Sequence, residues 1–95
     1  MIKKKDKIPT LKIVIKSEWF DEIASGKKKI EYRDISPFWT SRLFDKNGKK
    51  RTYDQIEFIN GYNADAKRMI TKYEGFEKKG KIYHIKVGKI LKKSK

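Results

Sequence analysis

The sequence contains no cysteine and a single histidine among its 95 residues. The absence of cysteine excludes disulfide frameworks, zinc ribbons, thiol nucleophiles and iron–sulfur sites, and one histidine cannot form a multi-histidine metal site. The glycine motifs G-x-x-x-x-G-K-[ST] and G-x-G-x-x-G and the metalloprotease motif H-E-x-x-H are also missing. We therefore expect neither a metal nor a cofactor.

The sequence also lacks any run of about 18 apolar residues, the length that spans a membrane. Lys12 and Lys16 interrupt the apolar stretch that follows the lysine-rich start, which argues against a signal peptide. We expect a cytoplasmic monomer with no membrane partner. The chain is too short for two independent hydrophobic cores, so it is predicted to form one domain.

Positive charge is abundant: 26 Lys and Arg residues against 12 Asp and Glu residues give a net charge of +14. A charge of this size favours a polyanionic partner such as a nucleic acid. Lysine outnumbers arginine 22 to 4. Because lysine acts as a point charge, this composition suits non-specific attraction of phosphate better than base reading. The alternative interpretation is a solvated lysine surface with basic ends.

The composition divides the chain into three parts. Residues 1–9 are charged and end at Pro9, which predicts a flexible basic arm. Residues 10–90 carry the hydrophobic patterns of a folded domain, and residues 91–95 are predicted to form a basic C-terminal tail.

Hydrophobic periodicity within residues 10–90 predicts strands and short helices in turn. Ser17 and Ser36 are candidate N-caps of two short helices, and Gly26 is placed to end the first of them. Asn60–Gly61 and Lys79–Gly80 are turn signals that predict hairpins. The predicted strands cover residues 11–16, 28–33, 55–59, 66–76 and 82–87. About five strands and two short helices favour an α+β fold built on a small β-barrel.

Gly26, Lys28, Glu31 and Arg33 form the pattern G-x-K-x-x-E-x-R on the second predicted strand. With this motif, and with the order strand, short helix, glycine turn and strand before it, the sequence resembles the ASCH domain, a relative of the PUA RNA-binding domains. The resemblance covers residues 10–90 and implies a PUA-like β-barrel with an RNA-binding cleft along the motif strand. The sequence departs from the family at Tyr53, where a glycine often stands.

The motif residues have side chains that suit a binding cleft. Glu31 and Arg33 are two apart in a strand, so they share a face and can pair. Lys28 has the opposite parity and is predicted to lie in a turn or at a bulge. In a cleft, Lys28 attracts phosphate or polarises a carbonyl, Glu31 accepts hydrogen bonds from a base amino group, and Arg33 holds Glu31 or grips phosphate. Gly26 permits the tight turn that brings the segment to the cleft edge. The alternative is a solvent-facing Glu–Arg pair worth under ~1 kcal/mol.

Aromatic residues interleaved with basic ones are typical of surfaces that bind single strands. Tyr62 follows a turn and Trp39 shares a segment with Arg42, so both rings are predicted to be exposed for stacking. Arg68 completes the predicted nucleic-acid-binding set, which is Gly26, Lys28, Glu31, Arg33, Trp39, Arg42, Tyr62 and Arg68.

Two other residues are assigned to structure rather than to chemistry. Trp19 fits the apolar face of the first helix and is predicted to lie in the core. His84 lies in an alternating strand, and no sequence signature joins it to a serine nucleophile, so it is predicted to be structural.

The sequence predicts a nucleic-acid-binding module, RNA-binding in particular, that uses a basic cleft around the motif strand. Its partner is then RNA or another nucleic acid, with a nucleoside-type small ligand as a variant. The resemblance implies an alternative: a small metal-independent hydrolase, either an acylated-cytidine amidohydrolase or a single-strand ribonuclease, that uses Lys28 and Glu31. In the amidohydrolases a threonine occupies the place of Glu31, so that hydroxyl is missing here. A third class is an interaction domain whose basic face binds an acidic protein.

Overall fold

This computed structural model describes residues 8–94. They contain five strands and two short helices, joined by turns and loops. The predicted α+β class is therefore confirmed. In chain order the elements are β1 (Thr10–Ile15), α1 (Ser17–Ala24), β2 (Ile30–Asp34), α2 (Pro37–Leu43), β3 (Gln55–Asn60), β4 (Arg68–Lys79) and β5 (Ile82–Ser94).

The strands form one mixed sheet in the order β1-β3-β4-β5-β2. β1 pairs with β3 in parallel, and the other pairs are antiparallel. The register of β4 against β5 shifts at three points, and Gly75 in β4 has a φ of 91°. Because irregularities of this kind bend a sheet, the five strands curl into a half-barrel whose two edges are β1 and β2.

Alternating apolar side chains fill the half-barrel. In β1, Leu11, Ile13 and Ile15 are buried while Lys12 is exposed, as the period of two predicts. β3, β4, β5 and both helices add the remaining buried apolar residues, which are Phe20, Ile23, Leu43, Ile56, Phe58, Met69, Phe76, Tyr83, Ile85 and Val87.

Helix α1 ends as its glycine predicts but begins without the predicted cap. Gly26 has a φ of 85°, and its amide donates to the carbonyl oxygen of Ile23 at 3.1 Å. The N-cap position is Lys16, and the Ser17 hydroxyl instead donates to Asn60 Oδ1 at 3.0 Å. Ser17 therefore ties α1 to the end of β3.

Helix α2 begins as predicted. Its N-cap is Ser36, whose Oγ accepts a hydrogen bond from the Trp39 amide at 3.2 Å, and Pro37 occupies the first turn. The helix ends at Leu43, which is fully buried. Among residues 8–94, no helix combines the length and the apolar composition that crossing a lipid bilayer requires.

The connection from β3 to β4 is longer than the predicted hairpin. Asn60–Gly61 opens a loop over residues 61–67, and β4 begins at Arg68 rather than at residue 66. The Gly61 amide donates to the carbonyl oxygen of Ile15 at 3.2 Å, so the turn is tied to β1 before the chain reverses. This bond holds the start of the loop against the edge strand.

The two ends of the domain are paired more extensively than predicted. β5 continues to Ser94 and pairs with β4, so residues 91–94 belong to the sheet rather than to a tail, because β4 is long enough to offer them a partner. At the other end, the Pro9 carbonyl oxygen accepts a hydrogen bond from the Asp54 amide at 2.9 Å. The rest of the predicted arm, residues 1–7, lies outside the described residues, as does residue 95.

Candidate functional site

The half-barrel is open between its edge strands β1 and β2, and a cleft of about 1040 Å³ lies at this opening. The end of β1, the start of α1, strand β2, the start of α2 and the loop after β3 line it. Small-molecule sites commonly enclose ~300–1,000 Å³, so the cleft has room for a ligand the size of a nucleotide.

An ion pair between two β2 residues, Glu31 and Arg33, lies in the cleft, and Arg33 also bonds to the other edge strand, β1. The Arg33 guanidinium lies 2.7 Å from Glu31 Oε2, and its Nη2 also donates to the carbonyl oxygen of Val14 in β1 at 3.0 Å. Glu31 is only 5% exposed. The predicted pairing of Glu31 and Arg33 is confirmed, and the solvent-facing alternative is wrong, because both side chains lie inside the opening and not on the outer face.

Lys28 lies in the turn before β2, which is the first of the two predicted alternatives, a turn or a bulge. Its amide donates to the Glu22 carbonyl oxygen at 3.1 Å, and β2 begins only at Ile30 rather than at residue 28. The Lys28 ammonium is 3.7 Å from Glu31 Oε1. Lys28 is therefore the second cation held beside the buried carboxylate.

Two aromatic rings flank this ammonium and form one wall of the cleft. Lys28 Nζ is 4.8 Å from the ring centroid of Tyr32 and 5.3 Å from that of Trp19, within the range of cation–π attraction. The prediction that Trp19 lies in the core is wrong: the residue is 40% exposed, because Phe20 and Ile23 are the α1 residues that face the sheet.

The two aromatic residues that the sequence predicted to be exposed for stacking also line the cleft. The prediction of exposure is wrong for Trp39, which is partly buried because it packs against the core; the Arg33 guanidinium carbon lies 5.1 Å from its ring centroid. Tyr62 projects from the loop after β3 and is 92% exposed. Tyr32, which is not among the predicted site residues, also lines the cleft and is 52% exposed. Its place between two motif residues was the signal that could have identified it.

The remaining predicted site residues lie outside the cleft. The Arg42 guanidinium stacks on Phe38, 3.6 Å from the ring centroid, on the exposed side of α2. Arg68 pairs with Glu57 on the neighbouring strand at 3.2 Å. Gly26 lines a separate, smaller recess. The structure thus brings together four of the eight predicted residues in the cleft, with Lys28 adjoining them.

The lining of the cleft is balanced in charge rather than strongly basic. Lys16 and Arg33 line it together with Glu31 and Asp34, and Lys28 adds one positive charge beside Glu31. Among residues 8–94, most Lys and Arg side chains therefore lie outside the cleft lining.

Two serines of the cleft lining and the single histidine take part in structural contacts. Ser17 Oγ donates to Asn60 Oδ1, and Ser36 Oγ caps α2. The His84 ring packs edge-on against Tyr32, with centroids 4.8 Å apart. Lys28 and Glu31, the residues of the hydrolase alternative, lie 3.7 Å apart.

A second recess, about 470 Å³ in volume, lies beside β4 and contains an unusual tyrosine. Tyr73 Oη is buried and forms no hydrogen bond with any described residue. Burial, with a smaller contribution from Tyr53, raises the pKa of Tyr73 to about 12. On the nearby surface, Lys86 and Lys79 lower the pKa of Glu77 through hydrogen bonds and charge. We assign no ligand to this recess.

Comparison of the chain with protein-family models, with curated proteins and with solved structures finds no match. The ASCH resemblance therefore stays an interpretation of the four motif residues and their setting. Among residues 8–94, no group of three or more His, Asp or Glu side chains is arranged to hold a metal ion.

Proposed function

We propose that this protein is a nucleic-acid-binding module that takes one unpaired base of an RNA strand into the cleft between β1 and β2. The observation that carries the proposal is the arrangement of the cleft: a buried Glu31–Arg33 pair surrounded by the aromatic rings of Trp19, Tyr32, Trp39 and Tyr62. Aromatic side chains beside a positively charged surface are the usual means of binding single strands.

The aromatic walls supply affinity for a base. Stacking of a base on an aromatic side chain is worth ~1–3 kcal/mol, and the ring of Tyr62 is almost fully accessible for it. The balanced charge of the cleft lining fits a neutral base better than a phosphate. A duplex would have to extrude a base to use the cleft, which costs a few kcal/mol, so single strands are the preferred partner.

The buried carboxylate supplies polar recognition. Arg33 engages Glu31 Oε2, whereas Oε1 has the Lys28 ammonium at 3.7 Å, beyond hydrogen-bond distance. A carboxylate oxygen accepts more than one hydrogen bond, so Glu31 Oε1 is suited to accept one from a base amino group. Lys16 in the cleft lining, Lys28 beside Glu31 and the net charge of +14 provide the attraction for the phosphate backbone.

The test is fluorescence anisotropy with short single-stranded RNAs at about 50 mM salt, a concentration at which screening is weak. Replacing Tyr62 by alanine is expected to weaken binding by about 5- to 150-fold, which corresponds to one lost stacking contact. Tyr62→Phe is the matched control, because it keeps the ring, and it should bind like the wild type.

Two results would contradict the proposal. One is the absence of RNA binding by the wild-type protein at this salt concentration. The other is equal affinity of the wild type and Tyr62→Ala, since that would place bound RNA away from the cleft. Duplex RNA of the same sequence is the comparison ligand, and it is expected to bind more weakly because a base must first be extruded.

A further inference from the structure

A third recess, about 310 Å³ in volume, lies beside the turn that follows α1, where this turn meets β5. Three lysines line it: Lys28, Lys29 and Lys89. Of the described residues, no Asp or Glu lines it. A concave site with one sign of charge concentrates counter-ions of the opposite sign, so this recess attracts an anion.

The recess and the cleft are linked through Lys28 and Glu31. Lys28 lines the recess, and its ammonium lies 3.7 Å from Glu31 Oε1, an atom of a cleft residue. The same side chain contacts the rings of Trp19 and Tyr32 on the cleft side. We therefore consider a ligand whose aromatic group occupies the cleft. An anionic group attached to it would lie at the recess.

The end of α1 does not oppose an anion here, although helix C-termini carry partial negative charge. Its last carbonyl groups already accept hydrogen bonds. The Glu22 oxygen accepts from the amides of Lys27 and Lys28 at 3.0 and 3.1 Å, and the Ala24 oxygen accepts from Lys93 Nζ at 3.4 Å. The last of these contacts places a fourth ammonium close to the recess.

Two glycines, Gly26 and Gly88, line the recess, and only Gly26 has open space beside it. Gly26 has a φ of 85°, and apart from its two chain neighbours no described residue comes within 4 Å of the point that a Cβ would occupy, so its side of the recess is open. Gly88 faces it from β5. The carboxylate nearest to Gly88 is that of Glu74, which lines the recess beside β4 instead. Near Gly88, the single Glu74 carboxylate is outnumbered by the three lysines that line the recess.

We propose that this recess is the phosphate subsite of the nucleotide whose base occupies the cleft, with Lys29 and Lys89 as its principal ligands. The inference rests on the proposed function and adds to it the position of the backbone phosphate. Lysine suits this role because it binds phosphate as a point charge without base preference.

The first experiment uses inorganic phosphate and protein labelled with ¹⁵N at its six glycines. Amide resonances of Gly26 and Gly88 are expected to shift with saturation, while those of Gly48 and Gly80, in distant turns, do not. A chloride titration at equal ionic strength is the control. Equal shifts at all six glycines, or none, would overturn the subsite.

The second experiment uses the double variant Lys29→Gln/Lys89→Gln, with Lys46→Gln/Lys49→Gln as a control of equal charge change. Only the first variant is expected to lose the phosphate response. With single-stranded RNA, its dependence of log affinity on log salt should become shallower by about 0.7, which corresponds to one phosphate contact. Equal salt dependence in the two variants would refute the assignment.

Failure of the subsite and failure of the proposed function give different results. If RNA shifts the amide of Gly61, which lines the cleft, but phosphate leaves Gly26 and Gly88 unmoved, the subsite is refuted and the proposed function stands. If wild-type protein binds no RNA, the proposed function fails, and the recess loses its role in strand binding even where phosphate binds.

Discussion

Replacing Arg33 by methionine tests the ion pair of the cleft and the bond from Arg33 to the other edge strand, β1. The guanidinium pairs with Glu31 at 2.7 Å and donates to the Val14 carbonyl oxygen at 3.0 Å. In the variant, the buried carboxylate keeps only the Lys28 ammonium at 3.7 Å. Leaving a buried charge without its partner costs about 3–5 kcal/mol, and partial exposure of Arg33 places the expected loss near 3 kcal/mol.

A double-mutant cycle separates the pair from its surroundings. The variant Glu31→Met/Arg33→Met removes both charges, so it is expected to lose less stability than Arg33→Met alone. Free energies of unfolding are measured by urea denaturation followed by circular dichroism at pH 7. The reasoning is refuted if Arg33→Met loses less than about 0.5 kcal/mol of stability, as ordinary surface substitutions do. It is also refuted if the stability lost by the double variant equals the sum of the losses of Arg33→Met and Glu31→Met.

Two further substitutions probe the sheet. Gly88→Ala is expected to cost about 1–3 kcal/mol, because its Cβ would lie 2.8 Å from Lys72 Cβ; an unchanged melting temperature would contradict this. Tyr73→Phe is expected to keep or raise stability at pH 8, because it removes a buried hydroxyl that has no partner among the described residues. The folded-state pKa of Tyr73 is raised to about 12, so the wild type should lose stability relative to Tyr73→Phe as pH rises from about 10 towards 12. A constant difference in free energy of unfolding between the two proteins over that pH range, measured by urea denaturation, would contradict this expectation.

Features set by neighbouring residues could be predicted from the sequence. The cap at Ser36 and the glycine that ends α1 depend on contacts within a few residues, and both are confirmed. The pairing of Glu31 with Arg33 follows from their spacing in a strand. The α+β class likewise follows from local hydrophobic periods and turn residues.

Features set by distant contacts could not be predicted. The opening between β1 and β2 exists because these strands are the two sheet edges, a consequence of strand order that the sequence pattern does not contain. The bond from Arg33 to Val14 crosses that opening. The amphipathic pattern of α1 predicts Trp19 in the core, but the residue is 40% exposed and its ring contacts Lys28 in the turn after the helix.

The most direct test of base binding in the cleft uses intrinsic fluorescence, because both tryptophans of the chain, Trp19 and Trp39, line the cleft. Titration with single-stranded RNA at about 50 mM salt is predicted to change tryptophan fluorescence with the same midpoint as anisotropy, and added salt should reverse both signals. Binding seen by anisotropy without any change in tryptophan fluorescence would contradict the account.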